Sequence, residues 1–178
     1  MPSLQKKFLN ATLVTALAAA TTLTAVPAVA APAHAHGHAR LDVAIDGAAL
    51  VVSIGSPLDN LLGFEHAPRN DKQRAAVKKM EDGLQSPDLF KPTPEAGCQL
   101  KEVSVEHPFK GPTTAQNSAH GDADVRWTFQ CAAPTALRNL DVQLFARFPG
   151  LKSLKVQLAG PRGQTSDQLR PGKTLLAW

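Results

Sequence analysis

Three of the six histidines in the sequence fall within five residues, at His34, His36 and His38. Neutral imidazole is a donor that zinc, copper and nickel all accept, and a site needs three or four such ligands converging at about 2 Å from the metal. Random composition does not often gather histidines this densely, so the chemistry they point to is reversible metal coordination. The spacing of two matters because successive side chains of a strand point to opposite faces. On a strand running into Leu41, the even-numbered residues share a face and form a comb of imidazoles, while Leu41, Val43 and Ile45 turn to the core. Neighbouring same-side residues supply two ligands, and the rest must come from elsewhere. The candidates are Glu65 with His66, and His120 with Asp122; His107, followed by Pro108, has the least defined position. The preferred ligands are His36, His38, His66 and His120, with His34, Glu65 and Asp122 in reserve. A tail without specific function competes for the N-terminal cluster, and a satisfied polar side chain for the lone His66 and His120.

The elements that must position these residues are mostly strands. Residues 39–54 alternate on both sides of Asp46-Gly47, with Leu50, Val52 and Ile54 on the second arm, which predicts a β-hairpin. Residues 70–84 read as a helix: Asn70 caps it with Gln73 three residues on, and Ala76, Val77, Met80 and Leu84 share a face. Met80 is then core filling and not a ligand, and Gly83 suits a left-handed terminating residue. Alternating segments follow at 99–106, 122–131, 140–148, 154–158 and 174–178, with Pro112, Pro134, Pro149-Gly150, Gly160-Pro161 and Pro171-Gly172 in the intervals. The expected fold is mainly β, an antiparallel two-sheet β-sandwich with one inserted α-helix.

The N-terminal residues 1–30 read as a secretory signal peptide. Lys6 and Lys7 precede an apolar stretch over residues 8–26, and Ala28-Val29-Ala30 supplies the small-x-small cleavage signature. Six Asn and Thr residues in that stretch (Asn10, Thr12, Thr15, Thr21, Thr22 and Thr24) make it less apolar than a spanning helix requires. No cysteine lies near the cut, so a lipid anchor has no attachment point. The mature chain is expected to comprise a histidine-rich segment over 31–38 and a single β-rich metal-binding domain over 39–178. Of 19 basic residues, Lys6 and Lys7 leave with the leader, so 17 face 15 acidic ones and the formal charge is about +2. The basic residues are scattered apart from Lys78-Lys79, which excludes the footprint of a nucleic-acid binder. In an oxidising compartment the only two cysteines, Cys98 and Cys131, are expected to pair as a disulfide. Metal ligation is the competing reading, for which two thiols outside a C-x-x-C arrangement are an incomplete set.

Several stretches resemble the ZrgA-type family of zinc-regulated periplasmic proteins. They are HAHGHARLDVAIDGAALVVSIGSPLDNLLGFEHAPR over residues 34–69, Glu95-Ala96-Gly97-Cys98, His120-Gly121-Asp122 leading to VRWTFQC, and Leu140-Asp141-Val142-Gln143-Leu144-Phe145 with Phe148-Pro149. The resemblance covers nearly the whole mature chain. It implies an exported periplasmic zinc-binding accessory protein that assists zinc uptake beside an importer of the inner membrane, and it implies no catalytic activity. One departure is that relatives often carry a long histidine- and acid-rich loop before the strand bearing His120, where this chain has only FKGPTTAQNSA over residues 109–119. Two other classes stay open on the residues alone. One is a metal-dependent hydrolase with Glu65 as general base beside His66, although no H-E-x-x-H pattern is present. The other is a structural or interaction module of the cell envelope with a metal-buffering N-terminus. Zinc is the metal the resemblance favours, while the imidazoles themselves also suit copper or nickel.

Overall fold

The computed structural model describes residues 36–110 and 121–178; the expected leader over 1–30, His34 and His120 lie outside the described residues. Among the described residues nine strands run in chain order: β1 (His38–Asp46), β2 (Ala49–Pro57), β3 (Phe90–Pro92), β4 (Cys98–Glu106), β5 (Asp122–Cys131), β6 (Asn139–Val142), β7 (Ser153–Gly160), β8 (Gly163–Leu169) and β9 (Leu175–Ala177). Among the described residues three α-helices interrupt them: α1 (Asp59–Leu62), α2 (Asp71–Leu84) and α3 (Leu144–Arg147). A six-stranded sheet has the order β4-β5-β2-β1-β7-β8, and a three-stranded sheet the order β3-β6-β9. The expected mainly β, sandwich-like fold is therefore what the chain adopts. The large sheet is antiparallel except where β7 runs parallel to β1, with Leu41 beside Val156 and Val43 beside Leu158.

The period-two pattern explains this sheet. Leu41, Val43 and Ile45 pair with Ile54, Val52 and Leu50 across the hairpin, and all six are buried. Gly47 takes the positive φ of 54° that the two-residue turn requires. The inner face continues through Val125, Trp127 and Phe129 of β5. The small sheet closes over it: Phe90 of β3 meets Trp127 edge-on with ring centroids 4.8 Å apart, and Phe129 at 6.5 Å. Trp127 is fully buried, and its indole N–H donates to the carbonyl of Leu84 at 2.7 Å, so the end of α2 is fixed to the same core. Cys98 and Cys131 face each other across β4 and β5 and form the expected disulfide.

Helix α2 begins as expected, with the Gln73 amide donating to Asn70 Oδ1 at 2.9 Å while Gln73 Oε1 accepts from the Arg69 amide at 2.7 Å. Val77, Met80 and Leu84 are buried, so Met80 fills core. Gly83 differs from expectation. It is helical, and the helix is capped by Gln85 at φ −83°. A Cβ on Gly83 would stand 2.8 Å from Arg147 Nε, so close packing against that guanidinium is what the position demands. The expected strand over 140–148 also divides. Strand β6 stops at Val142, and α3 follows with the Phe148 amide donating to the Leu144 carbonyl at 2.8 Å. Leu140, Val142 and Leu144 alternate like a strand, and that run conceals the helical pair Leu144 and Phe148. Strand β8 (GQTSDQL) carries no apolar alternation because it is an edge strand whose one buried residue is Leu169.

Candidate metal centre

The chain before β1 is held in place, beginning with Gly37. At φ 81° this glycine turns the backbone so that its carbonyl accepts from the amides of Lys152 and Ser153, at 2.7 and 2.9 Å. Its own amide donates to Asn60 Oδ1 at 2.5 Å, while Asn60 Nδ2 donates to the carbonyl of His38 at 2.9 Å and to Ser56 Oγ at 3.2 Å. Asn60 is only 2% exposed and works as a double clamp on the residues between the histidines. It can do so because α1 is a single turn that Gly63 closes in the left-handed region, its amide donating to the Asp59 carbonyl at 2.8 Å. The adjacent Asp59 meets His36: Asp59 Oδ2 lies 2.8 Å from His36 Nδ1. His36 and His38 are both exposed, with buried Gly37 and Ala39 alternating between and after them.

The β1–β2 pairing reaches Arg40 opposite Gly55, two residues after His38, and Pro57, two residues further along β2, is opposite Asp122. His38 and Asp122 are thus both exposed residues at the same end of the large sheet, on strands separated by β2. Gly121 is buried on the inner side of this end, its carbonyl accepting from the Leu58 amide at 2.9 Å. A Cβ on Gly121 would meet Leu58 Cδ1 at 2.9 Å, Pro108 Cγ at 3.1 Å and the Glu65 carbonyl at 3.3 Å. The loop bearing Glu65 and His66 therefore reaches the start of β5. His66 is half-buried, stacks on Phe64 with ring centroids 5.3 Å apart, and its Nδ1 lies 2.9 Å from the carbonyl of Ala67.

Hydrogen bonding separates the described histidines by chemistry. A carbonyl oxygen only accepts, so His66 Nδ1 carries the proton and Nε2 keeps its lone pair. The Asp59 carboxylate sets the same tautomer on His36. His107 is the reverse. Its side chain is fully buried, Nδ1 accepts from the Phe109 amide at 3.2 Å, and Nε2 donates to Glu81 Oε1 at 2.9 Å. Both of its nitrogens are occupied in joining the end of β4 to α2, which makes His107 a structural residue. Neither Asp59 nor Asn60 stands out as a candidate in the sequence, although both lie in the stretch 34–69 that carries the family resemblance; their roles need contacts with residues 23 positions away.

The elements therefore bring residues 36–38, 65–66 and 121–122 to one end of the large sheet without closing a ligand shell. Among the described residues no three His, Cys, Asp or Glu side chains stand close enough together to hold a metal ion. Also among them, no helix is long and apolar enough to cross a membrane. Comparison with curated proteins gives no match. Residues 33–178 match the family described as ZrgA family zinc uptake protein, a span that takes in every candidate ligand. The chain belongs to the ZrgA family, and its role is related to zinc uptake.

Proposed function

We propose that the protein is an exported, periplasmic zinc-binding accessory of a zinc importer, and that it holds zinc reversibly through histidines at the end of the large sheet described above. The observation that carries this reading is the tautomer pattern. His36 and His66 each have Nδ1 tied to an oxygen acceptor, which leaves Nε2 with a lone pair for a metal. His38 and Asp122 lie at the same end of the large sheet, and His120 is joined directly to Gly121, which packs against the Glu65 carbonyl. The ligand set is His36, His38, His66 and His120, with His34, Glu65 and Asp122 in support. Because the described members do not yet form a cluster, binding draws the loop and the strand ends together, as metal sites commonly do when the ligands arrive from separate segments. Residues 1–30 act as the export signal, removed before the protein works; the disulfide suits the oxidising compartment to which such a signal leads.

Isothermal titration of the chain spanning residues 31–178 with zinc tests the reading. Saturable binding is expected, with loss when His36, His38, His66 and His120 are replaced together by alanine. Undetectable binding by the unaltered chain, or equal binding by the fourfold variant, would sink it.

A further inference from the structure

We infer that Asp59 is a positioning residue for zinc: it locks the His36 ring so that Nε2, and not Nδ1, is the atom offered to the metal. The inference rests on the zinc-binding reading above and adds a residue to it.

The backbone that follows His36 is held by hydrogen bonds. On the C-terminal side the Gly37 amide is held by Asn60 and the Gly37 carbonyl by Lys152 and Ser153. The His36 side chain itself is 71% exposed and would otherwise rotate about its own bonds. The Asp59 carboxylate removes that rotation by accepting from Nδ1 at 2.8 Å. Asp59 is itself anchored, since it belongs to the α1 turn and its carbonyl accepts from Gly63 at 2.8 Å. Its neighbour Asn60 is buried and bonded on both sides of its amide. Fixed partners therefore hold Asp59 where the ring needs it.

The arrangement has a chemical consequence as well as a geometric one. A metal on Nε2 withdraws electron density from the ring and makes the Nδ1 proton more positive. A carboxylate at Nδ1 stabilises that polarised state and fixes the orientation of the ligating nitrogen. Only a third of the Asp59 side-chain surface is exposed, so water screens the interaction less than it would for two fully solvated groups. His66 has a neutral carbonyl in the same place, so of the two only His36 carries this charged support.

The test uses the chain spanning residues 31–178 as the unaltered protein, with Asp59→Ala, Asp59→Asn, His36→Ala and the double variant His36→Ala/Asp59→Ala. Zinc affinity is read by competition with a chelating dye, and the His36 tautomer by long-range proton–nitrogen correlation. Without metal, the unaltered protein should show His36 protonated at Nδ1, and zinc should shift its Nε2 resonance. Asp59→Ala should weaken zinc about 10- to 100-fold, the usual cost of losing such a partner. Asp59→Asn, which keeps an oxygen acceptor without the charge, should fall between. In the His36→Ala background the Asp59→Ala change should add nothing. Unchanged affinity in Asp59→Ala would overturn the inference, as would an equal loss with and without His36, which marks a merely structural role. Absence of zinc binding in the unaltered protein would instead overturn the zinc reading itself, and this inference with it.

Discussion

Gly37 and Asn60, 23 residues apart in sequence, are joined by a hydrogen bond of 2.5 Å between the glycine amide and the asparagine Oδ1. The same side chain donates to His38 and Ser56 through Nδ2, so one buried amide satisfies groups on the N-terminal segment and on β2. Replacing Asn60 by alanine removes these bonds and leaves buried polar groups without their partner. Each such group typically costs about 1–3 kcal/mol. We expect Asn60→Ala to lower unfolding free energy by about 2–4 kcal/mol in urea denaturation, with part of the loss absorbed by water entering at the exposed histidines. A change within a few tenths of a kcal/mol would contradict the clamp.

Gly150 supports the same hub from the other side. A Cβ built on it would overlap the Asn60 carbonyl, and the atoms it meets are backbone, which cannot swing away. Gly150→Ala is therefore expected to destabilise by roughly 1–3 kcal/mol, the usual cost of overpacking. Gly160→Ala is the control. Its Cβ would first meet Ile45 Cδ1 at 3.5 Å, an ordinary contact, so its effect should stay within about 0.5 kcal/mol. Thermal melts of the two variants side by side read the contrast.

These two residues also mark where sequence reading ran out. The hairpin β1–β2 was legible because Leu41, Val43 and Ile45 alternate with polar residues, and one face of the sheet is solvated. The α2 cap was legible because Asn70 and Gln73 act within one turn. By contrast, Asn60 is a polar residue whose bonds to Gly37 and His38 span 23 and 22 positions, and no local pattern encodes those contacts. Gly150 looked like a turn glycine beside Pro149, yet its constraint comes from the Asn60 backbone. The histidines were legible as chemistry, but their separate hydrogen-bond states were not. Nothing in the sequence distinguishes a histidine that joins a strand to a helix, such as His107, from one whose Nε2 is left open.

The disulfide should be a major contributor to stability. Cys98 and Cys131 are 33 residues apart and close the β4–β5 pair at the end remote from Asp122. Constraining the unfolded chain over a loop of this size is worth about 3–4 kcal/mol. Reduction, or Cys98→Ala/Cys131→Ala, should lower the denaturant midpoint accordingly, and a change below about 1 kcal/mol would show that native-state effects offset the constraint.

Asp167 provides a pH test at the surface. A hydrogen bond from Lys173 Nζ and another from the Gln168 amide hold its carboxyl below the ordinary carboxylate value. With the folded value depressed, the stabilising contribution is present above the unfolded carboxyl range and is lost as pH falls through the folded value. Lys173→Met should therefore move the Asp167 titration upward toward the ordinary carboxylate value, read from its carboxyl carbon resonance. Added salt should shrink the difference, because the pair is solvent-accessible. An unchanged midpoint in Lys173→Met would show that the lysine is not the cause.

His107 and His66 should separate under substitution. His107→Ala deletes a fully buried ring whose two nitrogens bond Glu81 and the Phe109 amide, so it leaves a cavity and strands a carboxylate and an N–H. A loss of about 2–4 kcal/mol is expected from those combined effects. Zinc stoichiometry should stay as in the unaltered chain, since no lone pair of His107 is open to a metal. His66→Ala removes a half-buried ring stacked on Phe64 and bonded, among the described residues, to the next residue's carbonyl. Its expected cost in stability is about 1 kcal/mol or less, as for the loss of one weak local bond and a partly exposed contact. Its expected cost in zinc affinity is the larger effect. Denaturation and zinc titration on the same two variants therefore form a crossed pair. If His107→Ala weakened zinc more than His66→Ala did at matched folded fraction, the assignment of roles from the hydrogen-bond pattern would be reversed.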